Sequence, residues 1–371
     1  MSKILSGELA IVNQLRPSRH PWAWELFLKG QANNWSPAEI SMAKDIQQWR
    51  DPKGFTDDER LLVRRCLGFF AGSESLVANN LLLGIFRAIG DAECRQYILR
   101  QAYEEALHNH TIVYICDSLN LDIKEVYEAY RTIPSIKAKD DFLMSITTDM
   151  GRSGFRIPPM PSSSFDLSNY ARDENGEFGY DYARDVATYL GARWPAVQAR
   201  QEVLRNLITY YVVCEGIFFY SGFAMLLAFG RQSRLPGVCE QIQYSIRDES
   251  IHVQFGVRLI NTIIEQEPEA WTEKFQKETM DHIRKATELE IAYARDVLPR
   301  GILGLNAAQF VDYMGFIANR RLGMLGLPEM FPDAKNPFPW LAETIDLAKQ
   351  KNFFETKVTE YSSGGLVDDM D

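Results

Sequence analysis

Residues 101–108 read QAYEEALH and residues 247–252 read RDESIH, and both stretches end in Glu-x-x-His. A lone glutamate precedes each: Glu74 lies 31 residues before Glu105 of Glu105-Ala-Leu-His108, and Glu215 lies 34 before Glu249 of Glu249-Ser-Ile-His252. Positions i and i+3 share a helix face, so each motif presents a carboxylate and an imidazole side by side. Each lone glutamate stands one helix and one turn upstream, where an antiparallel neighbour returns it to the same level. Four inward carboxylates and two imidazoles form the ligand set of a dinuclear metal site inside a four-helix bundle. With five histidines in 371 residues, chance supplies about 0.4 Glu-x-x-His matches, so two matched copies are a signal.

The surroundings of the motif argue for burial. Residues 207–229 read LITYYVVCEGIFFYSGFAMLLAF, with Glu215 as the only carboxylate. The length would serve a membrane span. A carboxylate near its middle and charged helices on both sides favour the central helix of a large soluble bundle, with the carboxylate paired or metal-bound.

Composition sets further bounds. A chain of 371 residues with 46% hydrophobic side chains can bury a sizeable core. A net charge of −10 without a dense Lys/Arg block speaks against a nucleic-acid surface. The five dispersed cysteines (Cys66, Cys94, Cys116, Cys214, Cys239) read as reduced thiols of a cytoplasmic protein. The N-terminal residues lack a secretory pattern, and no P-loop or glycine-rich phosphate motif is present.

Periodicity predicts an all-α chain. Two short helices are expected between 22 and 50, the second opened by Ser36-Pro37. Longer ones follow at 57–88, 92–119, 122–131, 135–150, 181–196, 198–230, 233–266 and 268–297. Residues 151–180, rich in Gly, Pro, Ser and Asn, read as a surface insertion within a single helical domain spanning 1–352. Residues 353–371 cannot bury enough surface to fold alone; Phe353, Phe354 and Tyr361 favour a flexible docking tail.

With these residues in view, the chain resembles the small, radical-generating subunit of class I ribonucleotide reductase. The strings QAYEEALHNHTIVYICDSL, YYVVCEGIFFYSGF, RDESIHVQFG, LPRGILGL and KNPFPW, with the later VTEY, carry the resemblance across residues 20–361. It implies a ferritin-like four-helix bundle core extended by further helices, a homodimer, and a large catalytic subunit engaged through the C-terminal tail. It also implies no nucleic-acid or membrane partner, and dioxygen as the activator of the metal pair. Most of that family carries a radical tyrosine four residues after the first ligand histidine, and aspartate as the first ligand. Here the positions are Ile112 and Glu74. Both departures resemble class Ic, in which a Mn(IV)/Fe(III) cofactor stores the oxidising equivalent; two irons or two manganese ions are the alternatives. Physical reasoning agrees, because an aliphatic Ile112 side chain cannot be oxidised at a usable potential.

The resemblance also assigns a transfer path. Trp35 would be linked through Asp248 to His108, and Tyr361 would pass the hole to a cysteine of the large subunit. Tyr244 matches a tyrosine used in assembling the cofactor, and Phe219 and Phe223 match the apolar wall around the oxidant. His110 and Tyr114 point away from the metal face, and Tyr103 and Glu104 read as packing and surface residues. The competing reading is a related stand-alone Mn/Fe oxidase that binds a long-chain ligand. It shares the ligand set but has no use for Tyr361 on a terminal tail.

Overall fold

A computed structural model describes residues 3–5, 12–150, 157–160, 172 and 180–341. Most of the 151–180 insertion and the whole 353–371 tail, with Tyr361, lie outside the described residues. Ten α-helices of eight or more residues frame the described architecture: α1 (Pro21–Ala32), α2 (Ala43–Arg50), α3 (Asp57–Asn80), α4 (Ala92–Leu119), α5 (Pro134–Met150), α6 (Tyr180–Leu207), α7 (Phe219–Gly230), α8 (Pro236–Gln266), α9 (Glu273–Val297) and α10 (Ala307–Met324). Isolated bridges, not strands, are the only β-type pairing among the described residues.

The sequence places the helix starts by capping. Thr56 and Glu59 close a reciprocal capping box at the head of α3, and Asp91 accepts from Glu93 N and Cys94 N to start α4. Asn120 ends α4 in the left-handed conformation at φ 51°. Three expectations are corrected. Ser36-Pro37 opens only a single 3₁₀ turn, Pro37–Glu39, and α2 begins at Ala43. The expected break near 197 is absent, because Pro195 is carried inside α6. Helix α10 was not expected from periodicity; Asn306 and Gln309 form its capping box.

Between α6 and α7 the chain remains helical but changes pitch. Ile208–Phe218 is an eleven-residue π-helix, with Glu215 inside it and every residue buried. A second π turn, Leu81–Ile85, follows α3. Such segments cost hydrogen-bond quality and recur at functional sites. The apolar window within Thr188–Gly230 is long enough to cross a membrane, yet 94% of it is buried inside the fold. It is the central helix of a bundle, surrounded by protein. Burying each of its Leu, Ile and Phe side chains contributes about 1.5–3 kcal/mol before entropy is counted. Around it stand α8 and α9, while α3 packs against α4 and α7. All five cysteines are free and buried.

Candidate metal centre

Helices α3, α4 and α8 and the π segment each aim carboxylates at one point. Glu74 comes from α3, Glu105 and His108 from α4, Glu215 from the π segment, and Glu249 and His252 from α8. All six side chains are buried, none more than 2% exposed. They form two overlapping quartets, Glu74/Glu105/His108/Glu249 and Glu105/Glu215/Glu249/His252, whose ligand atoms lie within 4.8 Å of one another. Glu105 and Glu249 belong to both quartets, so these two carboxylates would be available to both of two adjacent metal positions.

The imidazoles show which nitrogen faces the centre. His108 Nδ1 lies 3.1 Å from Glu249 Oε1 and 3.4 Å from Glu74 Oε2. His252 Nδ1 lies 3.2 Å from Glu105 Oε1 and 3.3 Å from Glu249 Oε2. Glu215 Oε2 is buried with neither a hydrogen bond nor an ion pair, and Glu74 Oε2, Glu105 Oε2 and Glu249 Oε1 are buried with His108 Nδ1 as their one shared ion-pair neighbour. Orphaned buried acceptors are costly, so such a cluster asks for cations. Four carboxylates carry four negative charges, which two divalent ions would neutralise. The residues present therefore fit a dinuclear metal.

Protonation in the metal-free fold follows from the same crowding. Burial raises Glu105 to about 7. It lifts Glu215 well above the usual carboxylate range, with Glu249 adding to the effect. Burial alone would lower the two imidazoles, but the carboxylates facing them win and hold both well above 6.5.

The residues behind the ligands are equally ordered. Gln101 Nε2 donates to Glu215 Oε1 at 2.8 Å, and its amide oxygen accepts from Tyr211 Oη at 2.8 Å. Tyr211 can sit there only because residue 256 is glycine; a Cβ would lie 2.0 Å from Tyr211 Cγ. Periodicity gave no hint of either residue, since both read as ordinary helix-core positions.

Asp248 and Trp35 are joined as expected. Trp35 Nε1 donates to Asp248 Oδ2 at 2.8 Å, while His108 Nε2 faces the same oxygen across 3.5 Å, ion-pair rather than hydrogen-bond range. Arg247 holds the other oxygen through Nε at 3.1 Å and Nη2 at 3.0 Å. Burial would raise the Asp248 carboxyl, but His108, Arg247 and Trp35 together hold it below its ordinary value. Tyr244 is half-buried and stacks on Trp35 at 5.2 Å between centroids. Ile112 is buried in the core. Phe219 and Phe223 pack edge-to-face at 5.8 Å, and Phe223 stacks on Phe70, one turn before Glu74, at 5.1 Å. His110 is exposed, and Tyr114 Oη donates to Ile40 O at 3.3 Å.

Glu104 corrects the sequence reading. Expected near the surface, it is 1% exposed. Its Oε2 lies 2.9 Å from His252 Nε2. The two acidic residues that precede the motif glutamates thus cross over: Asp248 of the second copy faces His108 of the first, and Glu104 of the first holds His252 of the second. That signal was legible, because both motifs begin with two consecutive acidic residues.

A family model, ribonucleotide reductase, small chain, matches residues 12–337. The ribonucleoside-diphosphate reductase subunit beta of Chlamydia pneumoniae is 48% identical over 354 residues, covering 95% of this chain and 91% of the relative. This chain belongs to the ribonucleotide reductase small-chain family. The ribonucleoside-diphosphate reductase subunit M2 of Danio rerio is a more distant relative of this small chain, 25% identical over 95% of this chain and 76% of its own. Solved structures agree on the ferritin-like fold. The ribonucleotide reductase R2 subunit from Clostridium botulinum gives a TM-score of 0.72 at 23% identity, covering 93% of this small chain and 94% of its own. The dimanganese(II)-NrdF of Streptococcus sanguinis gives 0.67 at 18% identity, covering 91% and 100%.

Proposed function

We propose that this small chain is of the class Ic type: it holds a manganese/iron pair, activated by dioxygen, and delivers one oxidising equivalent to a cysteine of the large subunit. The observation that carries the reading is Ile112, a buried aliphatic side chain four residues beyond His108 on α4. With no phenol at that position, the oxidising equivalent has to be stored on the metals. Glu74, Glu105, His108 and Glu249 would hold one ion, and Glu105, Glu215, Glu249 and His252 the other. When bound, such a pair supplies a one-electron oxidant strong enough to start radical chemistry.

The chain's own residues would route the hole outward. Asp248 orients His108 and accepts the Trp35 indole N–H, so electron and proton movements at Trp35 are tied to one carboxylate. Tyr361 in the tail would complete the path to the large subunit. Tyr244, stacked on Trp35, would serve delivery of electrons during assembly of the cofactor. Phe70, Phe219 and Phe223 form an apolar block beside the Glu74 turn and would keep water from the oxidant. We place the protein in the cytoplasm as a homodimer that docks the large subunit through residues 353–371.

Metal analysis with electron paramagnetic resonance on dioxygen-treated protein tests this. A Mn:Fe ratio near one without a tyrosyl-radical signal is expected; two irons with a sharp organic radical would refute it. Deleting residues 355–371 should abolish reductase activity with the large subunit and leave metal binding intact.

A further inference from the structure

The two histidines are held by different carboxylates, and only Asp248 has a place in the path above. Glu104 is buried, its Oε2 takes His252 Nε2 at 2.9 Å, and its Oε1 accepts from Arg100 Nε at 3.0 Å. Both oxygens are therefore committed, one to the imidazole and one to a guanidinium. Arg100 then reaches Asn34 Oδ1 through Nη1 at 3.2 Å. On the other half-site, Arg247 reaches Asn33 O through Nη2 at 2.5 Å, and Trp35 bonds Asp248. Three consecutive residues, Asn33 to Trp35, thus tie down both carboxylate clasps. Gly30, at the end of α1, lets the segment close: a Cβ there would stand 3.1 Å from Glu104 Oε1.

We propose that Glu104 is a positioning residue for the second metal: it fixes the His252 ring so that Nδ1 faces the centre, and raises the donor strength of that nitrogen. The Gly30–Trp35 segment anchors this clasp and the Asp248 clasp together, so the geometry at His252 is coupled to the place where Trp35 receives the hole. A carboxylate on the far nitrogen sets tautomer, ring orientation and basicity of a ligating imidazole. A glutamine at 104 keeps shape and packing but loses the charge, and its amide group must turn an N–H toward either Arg100 or His252.

The inference rests on the dinuclear reading, so the test separates the two. Full-length, chelator-stripped protein is titrated with Mn(II), and free Mn(II) is followed by electron paramagnetic resonance. Wild type should bind two ions per chain; binding of fewer would overturn the dinuclear reading itself. In a Glu74→Gln background, which removes the carboxylate unique to the His108 side, one Mn(II) site should remain. Adding Glu104→Gln should weaken that site by about 10–100-fold, with the metal-free protein still folded and helical by circular dichroism though less stable in urea, since two charge-assisted contacts are lost. Arg100→Met should weaken the same site to a smaller extent. Unchanged Mn(II) affinity on adding Glu104→Gln, where wild type binds two ions, would overturn the role of Glu104.

Discussion

Replacing Asp248 by asparagine removes one charge and no volume, and the structure sets the cost. Asp248 Oδ2 accepts from Trp35 Nε1 at 2.8 Å and faces His108 Nε2 at 3.5 Å, while Oδ1 accepts twice from Arg247, at 3.1 and 3.0 Å. Every group around this carboxylate is a donor. Asparagine offers one oxygen, so its amide N–H₂ must meet either Arg247 or the Trp35 and His108 pair, N–H against N–H. Losing two charge-assisted bonds at about 1.5–3 kcal/mol each, softened because Arg247 keeps Asn33 O, gives a destabilisation of about 3–5 kcal/mol. Urea denaturation of the metal-free Asp248→Asn chain reads this directly. At saturating metal, turnover with the large subunit should fall at least about 100-fold, the scale of a lost proton-transfer partner. A stability loss under about 1 kcal/mol, or turnover near wild type, would refute the view that this carboxylate organises the His108 half-site.

Other consequences follow from the same contacts. Metal ligands must be deprotonated, and in the metal-free fold Glu105 sits near about 7 while Glu215 and both imidazoles are raised further above their ordinary values. Mn(II) binding should therefore release protons and tighten as pH rises through and above 7, which titrations in weak buffer would show; a flat affinity between about pH 6 and 8 would contradict the assignment. Gly256→Ala would drive a methyl group into Tyr211, costing about 1–3 kcal/mol or more, and the displaced tyrosine would release Gln101; a variant as stable as wild type would rule out the contact. Lys139→Met strands Glu290, whose Oε2 lies 2.5 Å from Lys139 Nζ with both groups fully buried, for a loss of about 3–5 kcal/mol in urea denaturation. Burial already raises Glu290 to about 7 with the lysine present. Without it the folded-state value rises further, so the added deficit is flat below about 7, where both proteins hold Glu290 protonated, and grows as pH rises above about 7. Lys139→Met/Glu290→Gln should recover part of it.

The candidate metal cluster was readable because its chemistry repeats at helical spacing: Glu105 and His108, and Glu249 and His252, share a face whatever the helix packs against. Trp35 and Asp248 are 213 residues apart in sequence, and only the family resemblance joined them before the structure did. Glu104 was misplaced because a carboxylate is expected at the surface until α8 is packed against it, and the neighbouring Tyr103, read as packing, is the residue that is exposed. The π-helix around Glu215 was invisible for a related reason. A uniformly apolar run has no polar face from which to read the hydrogen-bond register, so nothing along it distinguishes i→i+4 from i→i+5 bonding.

What the sequence by itself determined was the helical class and the two Glu-x-x-His pairs, each with a lone glutamate upstream, since these depend on residue type and on spacing along one helix. What only the tertiary structure decided was that Glu105 and Glu249 belong to both quartets, and which carboxylate holds which histidine. Those are relations between helices, fixed by the packing of α3, α4 and α8 around the π segment, and local spacing carries no record of them.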